Sequence, residues 1–136
     1  MSYGVAAALQ TAVYQALVAD ATLTGMVGSA IYDAAPAGTL PSLYVSLGPE
    51  DVTDASDKTG AGARHEFTVS VVADTAGFLT AKQVATAISD VLVDADLALS
   101  RGVLVGLYFV SAKARRVQDS DVRRIDLKFR ARVEDN

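Results

Sequence analysis

The sequence predicts an α+β fold, an antiparallel or mixed β-sheet flanked by two helices in the order α-β-β-β-α-β-β. Three observations carry that expectation. Segments 4–19 and 78–93 repeat apolar residues at helical spacing. Segment 122–133 alternates between apolar and charged residues, the pattern of a strand with one wet face. A chain of 136 residues, 51% of them hydrophobic, suits one domain, 1–136, built around one core.

The first helix places Val5, Leu9, Val13 and Leu17 in one stripe, with Ala8, Ala12 and Ala16 beside it. Alanine favours helix and lets a sheet approach closely. Asp20 begins a break in which Thr22 is placed to cap a short turn, ended by Gly25 and Gly28. Ile31 and Tyr32 read as a short strand, and Pro36, Gly38 and Pro41 as a loop. In 42–48, Leu43, Val45 and Leu47 alternate with Tyr44 and Ser46, which predicts a second strand. Residues 49–63 (PEDVTDASDKTGAGA) are acidic, glycine-rich and poor in apolar side chains. They are expected to form a long exposed loop, either a partner-binding arm or a passive connection.

Strand 64–73 sets Phe67, Val69 and Val71 against Glu66, Thr68 and Ser70, and Asp74 to Gly77 turn the chain. The second helix carries Ala81, Val84, Ile88, Val91 and Leu92 inward, and Thr80 with Gln83 fits a capping box. Segment 94–102 is a connection, 103–117 a long strand expected to bulge at Gly106, and 118–121 a polar turn. The last strand turns Ile125, Leu127, Phe129, Ala131 and Val133 inward, against Arg124, Asp126, Lys128, Arg130 and Arg132.

The chain has no cysteine, which excludes a disulfide framework and thiolate metal sites. No apolar run approaches the roughly 18 residues that span a bilayer. The alanine-rich start lacks a basic lead and is interrupted by Gln10, Thr11 and Gln15, so it reads as a mature helix rather than a signal peptide. No membrane partner is expected, and the protein is expected to be made and used in the cytoplasm or in something assembled there. The net charge of −4 argues against a general nucleic-acid binder. The charge is uneven: residues 1–100 hold 3 basic and 11 acidic side chains, residues 101–136 hold 9 and 5. The basic stretch reads either as a solvated strand pair or as one side of a polar molecule that meets an acidic side of its neighbour. A head-to-tail contact of that kind builds rings or filaments.

The search for chemistry ends without a catalytic, cofactor or metal site. His65 is the only histidine, and without a second histidine or a cysteine it reads as a surface or strand-end residue. Ser46 and Ser100 lack a nucleophile elbow, and the glycines of KTGAGAR lack a P-loop's spacing. Asp94 with Asp96, and Asp119 with Asp121, lie in turns that favour aspartate for backbone bonding, and further oxygen ligands at calcium-loop spacing are missing. Arg115, Arg116, Arg123, Arg124, Lys128, Arg130 and Arg132 have no aromatics interleaved, which points to protein contact rather than DNA readout.

In order and spacing these segments resemble the phage tail-completion or tail-terminator family of siphophage-type tails, prophages and gene transfer agents. The resemblance covers nearly the whole chain. It rests on the N-terminal helix leading into TLTGMVGSAIYDAAP, then PSLYVSLG, then RHEFTVSVVADTAGFLTAKQVATAISDVL, and finally VRRIDLKFRARVED. The family strand often ends in a turn containing Trp or Ser; here it ends Ala73-Asp74, and the chain has no Trp. The resemblance implies a structural virion protein: a homo-hexameric ring at the head-proximal end of a tail tube. Such a ring stops tube polymerisation and presents a surface to head connector or adaptor proteins, while DNA passes through its lumen unbound. An acidic protein suits a wall along which DNA slides. The implied contacts are Glu50, Asp51, Asp54, Asp57, Lys58 and Arg64 toward the tube or a neighbour. Arg115, Arg116, Arg124, Lys128, Arg130 and Arg132 are expected to meet acids of the next subunit.

Three other readings stand beside it. A head–tail joining or neck protein of the same particle would share the fold and differ in its neighbour. A small ligand-binding α+β module would show an apolar pocket under the 49–63 loop. An enzyme using lone carboxylates would need two acids buried close together.

Overall fold

A computed structural model describes residues 3–34, 36–56, 60–74, 78–118 and 120–135. Helix α1 (Ala6–Ala19) buries Ala8, Leu9, Val13 and Leu17, the stripe expected from spacing. It is followed by α2 (Ala21–Val27), and a strand pair β1 (Ile31–Tyr32) and β2 (Leu43–Asp54) leads into β3 (Ala61–Ala73). Helix α3 (Leu79–Leu92), β4 (Val103–Arg116) and β5 (Arg123–Asp135) complete the described elements. They form one five-stranded mixed sheet in the order β1-β2-β3-β5-β4, parallel only between β1 and β2. The α+β class, the mixed sheet and the order of elements along the chain follow the sequence reading, with one helix more than expected.

That extra helix is α2. Its cap is Asp20, whose carboxylate accepts the Leu23 N–H at 2.9 Å, rather than Thr22. Gly28 closes it at φ 61, a conformation L side chains rarely adopt. The Thr80–Gln83 capping box is also not used. Helix α3 starts one residue earlier, at Leu79, with Phe78 at the cap position and no side-chain cap bond.

All helices lie on one face of the sheet, and the core fills the space between. Val45, Val69, Val71, Leu107, Phe129 and Ala131 meet Leu9, Leu17, Leu23, Val84, Ile88 and Leu92, each essentially free of solvent. Phe67, Phe129 and Phe109 pack in a row, with ring centroids 5.8 Å and 6.0 Å apart.

The largest departure from expectation is at 49–63. Residues through Asp54 extend β2, and β3 begins at Ala61, so two strands pair along most of the segment. Asp54 pairs with Ala63, and the Ala55 N–H donates to the Gly62 carbonyl at 2.9 Å. A register shift between Leu47 and Glu50 explains why the strand escapes an alternation pattern. Before it, odd residues face the core; after it, Glu50 and Val52 do. Pro49 sits at this irregularity, where a missing N–H is tolerated.

Strand β4 carries two register shifts, between Leu104 and Gly106 and between Phe109 and Ser111. The bulged residues are Val105 and Val110, so the first lies beside Gly106 rather than at it, and the second was not expected.

Candidate assembly surfaces

His65 is not a surface histidine. It lies inside β3 on the core face and is fully buried. The register shift in β2 turns Glu50 toward the same face, and the two side chains meet at 3.3 Å between Nδ1 and Oε2. Nε2 is buried with no partner among the described residues. The ring sits in the core with Glu50 as the polar partner of its Nδ1. Glu50, expected at a partner interface, is thus directed into the fold, its side chain 18% exposed. The cavity beside it, between Leu9, Val13, Leu47 and Phe67, measures 10 Å³, room for about one water. It is too small for the ligand pocket that a binding module would place under this segment.

The remaining acids of the hairpin are on its outside. Asp51 pairs across the ladder with Glu66, and Asp54 lies exposed at the hairpin's end. Two bonds from Ser56, through its hydroxyl and its backbone N–H, hold the Asp54 carboxyl below the usual carboxylate range. Asp57 and Lys58, also expected as contacts, lie outside the described residues, as does Asp119.

The register brings the expected basic residues together on the sheet face away from the helices. Arg64 stands opposite Arg132, Thr68 opposite Lys128, and Arg124 opposite Arg115. Several of these cations already have partners within the chain. Arg130 Nη2 lies 2.6 Å from Glu66 Oε2. Arg124 Nε donates to Asp126 at 2.9 Å, the Ser70 hydroxyl donates to the same carboxylate at 2.6 Å, and Arg115 approaches it at 3.9 Å. Burial, the largest influence on Asp126, works to raise its pKa; the Ser70 bond and the two guanidiniums outweigh it and hold the carboxyl below the usual range. Arg132 donates to the Ala55 carbonyl at 2.8 Å. Opposed like charges such as Arg64 and Arg132 destabilise a ladder unless an anion comes between them. Arg116 points to the other face, near Asp121 and the Ser120 carbonyl, so it does not join the group.

Sequence reasoning missed a second surface. Strand β4 is the last in the sheet, and from Val103 to Val110 it exposes large apolar side chains on both faces. Val105 is 56% exposed, and Tyr108 and Phe109 are each 48% exposed. A signal was present: β4 reads VLVGLYFV, apolar without alternation, which outside a doubly covered sheet means apolar groups on a wet side.

No group of three His, Cys, Asp or Glu among the described residues is placed to hold a metal ion, and no described helix is long and apolar enough to cross a membrane. The arrangement offers two exposed surfaces, the basic sheet face and the apolar β4 edge.

Comparison with known proteins bears on what docks there. Residues 11–134 match the family described as tail completion protein gp17. Among solved structures, the chain is similar to one in the virion of a native gene transfer agent particle. The two share 68% identity and superpose with a TM-score of 0.93, over 98% of this chain and 99% of that one. No match was found among curated proteins.

Proposed function

We propose that this chain, which belongs to the tail completion protein gp17 family, is a structural protein of a phage-like particle. It forms a ring at the head-proximal end of the tail tube. The ring ends tube polymerisation and presents a surface to the head connector. The observation that carries this reading is the likeness over nearly the full length, at 68% identity, to a chain of a gene transfer agent virion. The TM-score of 0.93 means that the two chains share the same backbone fold.

The chain's chemistry supports the reading in three ways. Its outer sheet face gathers cations that have no full set of partners within the fold. Its β2–β3 hairpin carries acids outward at Asp51 and Asp54. Its net charge of −4 suits a protein past which DNA must slide without binding. The ring is a homo-hexamer, a closed head-to-tail arrangement of identical contacts. The hairpin, Asp57 and Lys58 included, meets the tail-tube protein or a neighbouring subunit. Arg64, Arg115, Arg124, Lys128, Arg130 and Arg132 meet acids of the adjoining chain. The role is that of a scaffold, and no catalytic step is assigned to it.

The test is to add the purified protein to growing tail tubes and to image particles made without it. Capped tubes of fixed length with the protein, and overlong headless tubes without it, are the expected result. Tubes of normal length that fail only to join heads would refute termination and assign the chain to the neck.

A further inference from the structure

We propose that the exposed edge of β4 is one half of the contact between neighbouring copies of this chain, and that the β1–α2 end of the next copy is the other half. The inference rests on the ring reading above and says which surfaces close it.

Charge argues for this pairing. The sheet order β1-β2-β3-β5-β4 turns an imbalance along the sequence into one across the molecule. No lysine or arginine occurs before position 58, so α1, α2, β1 and β2 carry no basic side chain. At the opposite end, β4 and β5 together hold eight basic and three acidic side chains. One end of the sheet is therefore acidic and the other basic, and they are as far apart as the sheet allows. Two such ends satisfy one another only between different copies, in a head-to-tail sense.

Apolar surface argues for the same two ends. Val105, Tyr108, Phe109 and Val110 stand out at the β4 edge; Met26 on α2 and Leu40 between β1 and β2 are 40% and 36% exposed at the other end. Between α3 and β4 runs an open groove of about 360 Å³ lined by Ala85, Ser89, Phe109 and Ala112. A long apolar edge strand left bare is a template for pairing with another chain, and an apolar patch rimmed by charge marks a docking site. Beyond β1, Asp33 is exposed and accepts a bond from the Gln10 side chain, and Asp20 and Asp90 line a groove between α2 and α3.

The experiment uses two variants that each spoil one end. Val105→Asp with Phe109→Asp disables the β4 edge; Met26→Lys with Asp33→Lys disables the other. All four positions are substantially exposed, and thermal unfolding is used to check that each variant folds. Each variant is first expressed in place of the wild-type chain in particle-producing cells. At least a tenfold loss of the chain from purified particles is expected for both. Incorporation at the wild-type level for either would overturn the proposal.

The two purified variants are then mixed at a concentration where the wild type associates, or in the presence of tube ends if it associates only there. A head-to-tail contact predicts a one-to-one pair that grows no further, while each variant alone stays monomeric. Pairing of the Met26→Lys, Asp33→Lys variant with itself would show β4 meeting β4 across a twofold axis and would overturn the assignment. Wild-type particles imaged with no closed ring of this chain would refute the ring itself. A ring that persists in the β4 variant would refute only these surfaces.

Discussion

The packing of the phenylalanine row predicts unequal costs for two similar truncations. Phe129 is fully buried between Phe67 and Phe109, whereas Phe109, directly across the ladder, is 48% exposed. Phe129→Ala leaves a cavity in the core under α3 and should cost about 4 kcal/mol. Unfolding entropy of roughly 2.1 cal/mol/K per residue, over 136 residues, gives about 0.29 kcal/mol/K, so the melting temperature should fall by about 14 °C. Phe109→Ala removes about half as much buried apolar area and part of one edge-to-face contact, about 1–1.5 kcal/mol or roughly 4–5 °C. Because the rings touch, the double variant should fall short of the sum by about 0.5–1.5 kcal/mol. The assay is thermal unfolding followed by circular dichroism, at a protein concentration low enough to keep the chain monomeric. Equal shifts for the two single variants would refute the claim that the subunit leaves the outer part of β4 uncovered.

Three further outcomes follow from particular contacts. Gly102 has φ 75, and a Cβ there would lie 2.5 Å from the Glu134 carbonyl oxygen, so Gly102→Ala should cost about 2 kcal/mol or more, read as a lower urea midpoint. Asp126 has a folded pKa below its unfolded value near 3.8; its stabilisation is complete above that value and disappears as pH falls through the folded one. Asp126→Asn should therefore lower the urea midpoint at pH 7 and flatten its decline between pH 5 and pH 2, and an unchanged slope would contradict the assignment. Glu50→Ala strands the buried His65 ring and should cost about 1–3 kcal/mol, whereas Glu50→Leu with His65→Leu should cost less; the reverse order would show that the pair is not a polar inclusion in the core.

How far the fold could be read in advance depended on whether one period ran through a whole element. In β5 it did, from Ile125 to Val133, and both faces were assigned correctly. Helices α1 and α3 were legible for the same reason. In β2 the register shift reverses the inward parity after Leu47, so Glu50 and Val52 take the kind of position that Leu43, Val45 and Leu47 held before it, while Asp54, at the strand's end, is exposed. A window across that point averages to no period, and Pro49 with four nearby acids completes the impression of a loop. The burial of His65 was hidden by the same event, since its partner Glu50 comes from that segment. The basic group was legible as a list of residues, but its internal partners were not. Glu66 and Ser70 lie more than fifty positions from Arg130 and Arg124, and only the β3–β5 register joins them.

The bulges in β4 limit how far an exposed apolar edge can recruit another strand. A flat edge of 14 residues would accept a strand along its whole length and repeat without limit. Val105 and Val110 each interrupt the ladder, bend the strand and raise its local twist. A neighbour can then follow the edge only over a short stretch, so side-chain fit and charge must supply the rest of the specificity. In the proposed ring the bend would also set the next copy at an angle to the first. Copies joined head to tail at a fixed angle close on themselves when the angle divides a full turn, and otherwise climb into a helix. In the proposed ring, deleting Val110 to straighten the edge should therefore alter closure before it alters folding. Open or enlarged assemblies from a chain that still melts cooperatively would be the sign, and hexamers of wild-type diameter would show that the bulge has no part in setting the angle.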